Sequence, residues 1–303
     1  IAEGLLNIPQ VTYFSLGGNK IQDTGAIAII ETVKSNKGIK QVDLGYNKIS
    51  SKAIGVAAEV LKGGNQKVDL WGNPINDAGA VQLLELLRTQ PDLVQLNLAN
   101  CDIGDETMQS LHDFLPQNDT IVSLHFSGNE IGDPGALLLA DILARNSKLS
   151  YFGFEGKKVT NKGFTAIFEG LKVNKGITSV NFTGKIKVDN LAEKLGATIR
   201  ENQRITNFML TCCELTDDEA IPLVRAIGSN KDVDTLQLFG NKFGDKTAIV
   251  ISETFKEREK FRGASLGRNK IKDQGAITLV ESLIEKPDLH YISLVENLIS
   301  EEA

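Results

Sequence analysis

Apolar residues alternate with polar ones in short stretches that return at a fixed interval. Val42 and Leu44 flank Asp43, Leu96 and Leu98 flank Asn97, and Leu236 and Leu238 flank Gln237, the two-residue period of a half-buried strand. Between such stretches the spacing changes to i, i+3, i+4, i+7. Ala136, Leu139, Ala140 and Leu143 follow it, as do Ala276, Leu279, Val280 and Leu283, which predicts helices with one buried face. The join between strand and helix carries its own signature. Leu16-Gly-Gly-Asn19-Lys-Ile21 returns as Leu44-Gly-Tyr-Asn47-Lys-Ile49 and as Leu70-Trp-Gly-Asn73-Pro-Ile75. The same register marks eleven positions: Asn19, Asn47, Asn73, Cys101, Asn129, Lys157, Lys185, Cys213, Asn241, Asn269 and Asn297. The step is 28 residues throughout, except for 26 between Asn47 and Asn73. Four residues beyond most of these positions stands an Asp, among them Asp23, Asp77, Asp105, Asp133, Asp189, Asp217, Asp245 and Asp273. Each is expected to cap the helix that follows it.

A strand–turn–helix unit of this length cannot bury its apolar face alone, so neighbouring units must stack. The pattern L-x-x-L-x-L-x-x-N-x-L, with a helix and a 28-residue period, resembles the ribonuclease-inhibitor type of leucine-rich repeat along essentially the whole chain. The resemblance implies an α/β fold: a right-handed solenoid or horseshoe with parallel strands on the concave face and helices on the convex face. Residues 1–303 would form a single domain of about eleven such repeats. It also implies that the Asn side chains of the ladder satisfy backbone groups in the turns, with Cys as a common substitute. Proteins of this type include ribonuclease inhibitor, Ran GTPase-activating protein, tropomodulin and NOD-like receptors, so the resemblance says little about chemistry.

Two features depart from the pattern. Lys157 and Lys185 occupy successive ladder positions, and Lys offers no acceptor to a turn N–H; Lys187 adds a charge where Ile or Leu is expected. The middle of the stack is therefore expected to be its least regular part. At the ends, Ile1 aligns with Ile29 inside a helix and Ala303 with Gly25 at the start of one. Terminal repeats ordinarily carry a polar cap, so a solenoid truncated or uncapped at both ends is expected.

Composition narrows the function. Hydrophobic residues make up 41% and charged residues 24%, and Lys+Arg total 33 against Asp+Glu 39, a net charge of -6. A protein gripping nucleic acid through its phosphates needs a basic surface, so no nucleic-acid partner is expected. No apolar stretch reaches the roughly 18 residues of a membrane span, and none is expected to enter a membrane. Three cysteines, two of them adjacent (Cys212 and Cys213), cannot form a disulfide framework. They suit a reducing, cytoplasmic setting.

Candidate chemistry is sparse. Gly240-Asn-Lys-Phe-Gly244-Asp-Lys-Thr247 approaches a Walker loop but is one residue short, and Asp245 intrudes before the Lys. It reads as the turn of the repeat. Cys101 and Cys213 point inward four repeats apart, and neither C-x-x-C nor H-E-x-x-H occurs, so no zinc and no other cofactor are expected. His112 reads as a packed helix residue. His125 points out of the strand face, with no obvious Ser or Cys as its nucleophile. Asp43 and Asp69 align on adjacent strands, about 5 Å apart, with Asn97 next in the row. That is the carboxylate spacing of a retaining glycosidase, but an open strand face lacks an enclosing pocket. A docking spot for a basic partner residue fits better.

The aromatic residues complete the reading. Trp71 lies two positions before its ladder residue, Tyr46 one before, and Tyr13, Tyr151 and Tyr291 six before; all five should stand on the concave face or its edge. Exposed Trp and Tyr are enriched at binding hot spots. The expected site centres on Trp71, whose column neighbours Gly45 and Ala99 are small and should leave the indole over shallow depressions. Tyr46, Asp43 and Asp69 stand beside it and Lys67 and Gln95 continue the strand surface, Asn97 and Tyr151 are further expected contacts, and a second, weaker patch comprises Met209, Gln237 and Phe239. A non-enzymatic interaction scaffold is expected, binding a partner protein that offers a basic surface or accommodates an aromatic side chain. The alternatives are a GTPase-activating protein, in which exposed Arg268 could reach a phosphate, or the repeat region of a NOD-like receptor or a bacterial effector.

Overall fold

The computed structural model describes residues 2–5, 7–8, 10–36, 38–55, 67–88, 94–284 and 286–302. Among the described residues, eleven short strands form one parallel sheet in strict sequence order. They are β1 (Tyr13–Ser15), β2 (Gln41–Asp43), β3 (Lys67–Asp69), β4 (Gln95–Asn97), β5 (Ser123–His125), β6 (Tyr151–Phe154), β7 (Ser179–Thr183), β8 (Asn207–Thr211), β9 (Thr235–Gln237), β10 (Gly263–Ser265) and β11 (Tyr291–Ser293). A four-residue helix α1 (Ala2–Leu5) precedes β1. The crossovers are α2 (Gln22–Ser35), α3 (described over 51–55), α4 (Asn76–Leu87), α5 (Asp105–His112) and α6 (Asp133–Arg145). They continue as α7 (Asn161–Val173), α8 (Leu191–Glu201), α9 (Asp217–Ser229), α10 (Asp245–Phe255) and α11 (Asp273–Leu283). Neighbouring strands sit about 4.8 Å apart, whereas packed helices need about 8–10 Å. Stacking the units therefore bends the chain toward its strands and makes the strand face the concave one.

β2, β4, β5 and β9 bury their central residues, Val42, Leu96, Leu124 and Leu236, and half-expose the two that flank each, whereas the end strands β1 and β11 leave theirs half-buried. The pairing register equals the repeat: Gln41, Lys67, Gln95, Ser123 and Tyr151 align across five strands, and Asp43, Asp69, Asn97, His125 and Gly153 align beside them. Two outward columns of polar and aromatic side chains follow from this register.

The ladder works in both directions. Asn129, fully buried, donates from Nδ2 to the carbonyls of Leu98 (2.7 Å) and Phe126 (2.8 Å) and accepts at Oδ1 from the N–H groups of Cys101 (2.8 Å) and Ile103 (3.3 Å). Cys101 and Cys213 keep the donor role, their thiols lying 3.3 Å from Leu70 O and 3.4 Å from Phe182 O. A second Asn ladder, absent from the sequence reading, closes the helix-to-strand side. Asn146 donates to Leu115 O at 2.6 Å and Asn118 O at 3.0 Å, and Asn174 and Asn202 repeat the arrangement.

The expected helix caps are corrected in one respect. The Asp side chains reach the next repeat rather than their own helix. Asp105 accepts from Gly132 N (2.8 Å) and Gly135 N (3.0 Å), at the start of α6, and Asp217 accepts from Gly244 N and Thr247 N, both at 3.0 Å, at the start of α10. Each carboxylate thus meets the positive end of a neighbouring helix and ties two units together. Asp189 makes no such bond among the described residues, and α8 instead starts after Asn190 in the left-handed region (φ 55°).

The same middle stretch accommodates Lys157 and Lys185 by turning both outward. Lys157 Nζ donates to Gly128 O at 3.1 Å, and Lys185 lies 3.7 Å from Glu214. A cluster of Phe152, Phe154, Phe164, Phe168 and Phe182 fills the core behind them, every ring at most 2% exposed. Replacing both lysines with Asn should restore the two missing acceptors and raise the melting temperature. Amide exchange in the unmodified protein should be faster at these turns than at those of Asn47 and Asn129. Equal protection would show that the Phe cluster compensates fully.

The thiols are separated in reactivity as in space. Burial pushes Cys101 up to about 12 and raises Cys213 as well, whereas Cys212 is exposed. Because the thiolate is the reacting species, Cys212 should take a thiol reagent first and alone in the folded state. Mass spectrometry of the labelled peptides reads this; early labelling at Cys101 would contradict the packing.

Candidate functional site: the concave strand face

Asp43 and Asp69 sit side by side at the ends of β2 and β3, and hydrogen bonds fix both carboxylates. Asp43 accepts from Ser15 Oγ (2.7 Å) and Gly45 N (2.9 Å). Asp69 accepts from Trp71 N and from Asn97 Nδ2, both at 3.2 Å. Burial holds the Asp69 carboxyl above its ordinary pKa against those two hydrogen bonds, and the neighbouring charge of Asp43 adds to the rise. A like-charge pair on adjacent strands costs stability, and no basic side chain pairs with either carboxylate among the described residues. Lys67 occupies its expected place in the register of β3, but its side chain lies outside the described residues.

Trp71 and Tyr46 meet in an edge-to-face contact, with ring centroids 4.2 Å apart and planes at 80°. Tyr46 adopts the left-handed region (φ 52°) in the turn, which swings its ring across Gly72 of the next repeat. Trp71 leans the other way, across Gly45, where an added Cβ would collide with the indole. This corrects the expected depressions under Trp71: the indole fills the space over Gly45, and Ala99 on its other side is buried. Tyr46 remains 49% exposed, so the crossed pair presents a rigid aromatic surface beside the two carboxylates.

The depression lies further along the sheet. Asp69, Gln95, Asn97, Ser123, His125 and Tyr151 line most of a concavity of about 310 Å³. His125 and Tyr151 contact each other edge to face at 5.9 Å, and Asn181 donates to the Tyr151 hydroxyl at 3.3 Å. Burial lowers the His125 pKa and raises that of Tyr151, the latter opposed by the Asn181 hydrogen bond. The sequence reading placed His125 outward but left it, with Gln41 and Ser123, out of the site, while Gln95 stood on its strand surface. The register alone put them in the same columns. One further correction concerns the partner of His125: its Nε2 lies 3.1 Å from Ser127 Oγ. Ser127 is nearly buried, and no carboxylate orients the imidazole among the described residues, so the pair lacks the third member a hydrolytic set needs.

The second expected patch stands apart, across β6 and β7 from the first. Met209 and Gln237 pair in register on β8 and β9. Phe239 carries Arg268 over its ring at 5.5 Å, and Arg268 is clamped by Glu296 through Nε (2.7 Å) and Nη2 (3.1 Å). Arg268 is thus paired with Glu296 and stacked on Phe239 at the exposed turn edge. Of the remaining expected aromatics, Tyr13 and Tyr291 are exposed and Tyr151 is half-buried.

Among the described residues no group of three or more His, Cys, Asp or Glu side chains could hold a metal ion, and no helix is long and apolar enough to cross a membrane.

Comparison with known proteins agrees with this architecture. Residues 9–29, 89–111 and 117–140 match the Leucine Rich repeat family. Over 109 residues the chain is 31% identical to leucine-rich repeat-containing protein 73 of Rattus norvegicus and of Homo sapiens, covering 35% of this chain and 34% of those proteins. The match thus spans about a third of the length of these curated relatives. The crystal structure of the yeast Rad7 and Elc1 complex aligns over 100% of this chain and 75% of that one, with a TM-score of 0.62 at 15% identity. The chain carries leucine-rich repeats, folded as an α/β leucine-rich-repeat solenoid.

Proposed function

We propose that this protein is an interaction scaffold that binds a partner protein on its concave face, with Trp71 as the anchor. The observation that carries this reading is the Tyr46–Trp71 crossed pair beside the hydrogen-bonded Asp43 and Asp69 carboxylates on an open strand face. The aromatic pair loses few rotamers on binding, and the carboxylates are already oriented, so little ordering cost opposes association. Met209, Gln237 and Phe239 form a second contact area on the same face. The 28-residue, helix-bearing repeat favours the ribonuclease-inhibitor subtype. Asp43 and Asp69 would repel a phosphate backbone, which speaks against nucleic acid, and the isolated His125–Ser127 pair favours binding over catalysis. Three unpaired thiols fit a cytoplasmic location.

A photo-crosslinking residue placed at Gln95 or Gln237, on the strand face, should trap one protein species; the same residue at Leu137, exposed on α6, should not. Adducts formed equally from Leu137 would overturn the reading. Asp43→Asn combined with Asp69→Asn should slow association and flatten its salt dependence, because steering by charge acts mainly on the on-rate. Stopped-flow measurement at two ionic strengths checks this.

A further inference from the structure

We infer that the depression between Asp69 and Tyr151 receives an arginine side chain of the partner protein. This deepens the scaffold reading and rests on it. The Asp69 carboxylate forms one wall of the depression. Its two oxygens each accept one hydrogen bond from this chain, which fixes the carboxylate plane and leaves a lone pair on each for an incoming pair of N–H groups. A guanidinium matches that geometry with two parallel donors, whereas an ammonium approaches as a point charge. Gln95 and Asn97 line the floor and supply amide groups, while His125 and Tyr151 offer ring edges at the far wall. From β3 to β6 is three strand steps, about 14 Å. An arginine side chain is shorter than that span, so the partner's backbone crosses above β4 and β5 with its guanidinium turned back toward Asp69.

Charge favours this occupant. Asp69 and neighbouring Asp43 carry negative charge without a described cation, and His125, the one imidazole in the depression, resists protonation because it is buried. The titratable groups lining the depression are Asp69 on β3, His125 on β5 and Tyr151 on β6; Asp43 on β2 stands beside Asp69 in register, and Lys67 of β3 lies in the adjoining column. As pH falls, Asp69 takes up its proton above the ordinary 3.8 and His125 takes up its own below the ordinary 6.5. Both events remove attraction for a cation, so binding weakens on acidification. Asp69→Asn removes a charge that burial already disfavours and keeps one of the two acceptors that serve Trp71 N and Asn97 Nδ2, and thermal melting of the variant checks that it remains folded.

The test uses fluorescein-labelled hexapeptides of alternating Gly and Arg, Gly and Lys, or Gly and citrulline, titrated into the purified protein and read by anisotropy. The Arg peptide should bind at least about tenfold tighter than the citrulline peptide and clearly tighter than the Lys peptide, as expected for a paired, charge-assisted contact. Asp69→Asn should remove that advantage, whereas Asp232→Asn, the same charge loss outside the depression, should not. Lowering the pH from 7 toward the ordinary carboxylate range should weaken the Arg peptide, and less so in Asp69→Asn. Equal binding of all three peptides, equal binding of Arg and Lys, or equal effects of the two Asp variants would overturn the assignment. If the Arg peptide shows no preference while crosslinking still maps to the strand face, the arginine site falls and the scaffold stands. If crosslinking maps to the helices, the scaffold reading itself falls.

Discussion

Asn129→Ala should destabilise the fold by about 3–5 kcal/mol, beyond the usual range for a single substitution. The side chain is fully buried and serves four backbone groups: the carbonyls of Leu98 and Phe126 and the N–H groups of Cys101 and Ile103. Each group left buried without a partner costs about 1–3 kcal/mol, and partial entry of water into the vacated space keeps the total below the sum. Those groups belong to two repeats, so the loss acts on the interface that a stacked unit needs in order to fold. Asn129→Cys should cost less, because Cys101 and Cys213 show that a thiol can serve the carbonyl side of the ladder. Urea denaturation of the three proteins measures both differences. A loss for Asn129→Ala below about 1 kcal/mol would place the variant among ordinary surface substitutions and would deny the ladder its structural role.

Trp71→Ala should weaken partner binding by about 2 kcal/mol or more, the level that defines a hot spot, while changing fold stability far less. The indole rests on Gly45 and the Tyr46 ring rather than within the core between strands and helices, so its removal exposes backbone without opening an internal cavity. It also frees Tyr46 to sample other rotamers, which adds an ordering cost to binding. Calorimetric titration alongside thermal melting separates the two effects. A large fall in melting temperature with unchanged affinity would recast the aromatic pair as a structural brace.

The repeat, the strand register and the inward or outward direction of each column were legible because a period of 28 residues ties every position to ten equivalents. Cys101, Cys213 and the outward aromatics fell where that register put them. The second Asn ladder repeats with the same period at Asn118, Asn146, Asn174, Asn202 and Asn230, but it lies at the helix end of each unit, outside the strand-and-turn pattern. Other features depend on contacts between units, which a single unit's pattern does not encode. Asp105 and Asp217 cap the neighbour's helix because stacking brings that N-terminus closer than a local turn would. The depression opens beside His125 rather than under Trp71 because the indole leans toward Gly45, and the lean of a side chain has no period. Lys157 and Lys185 break the ladder pattern within a single unit, but the Phe cluster behind them is formed between the strands β6 and β7 and the helix α7, and no single ladder position reports it.

The intrinsic fluorescence of Trp71, the one Trp in the chain, tests the central claim most directly. The protein trapped by crosslinking is titrated into the solenoid, and Trp71 emission and its quenching by acrylamide are followed to saturation, with a partner preparation that lacks Trp or with its Trp signal subtracted. Anchoring on the concave face predicts a blue shift and loss of quenching that saturate with the binding isotherm. Complete binding with the emission and quenching of Trp71 unchanged would place the partner elsewhere and contradict the account.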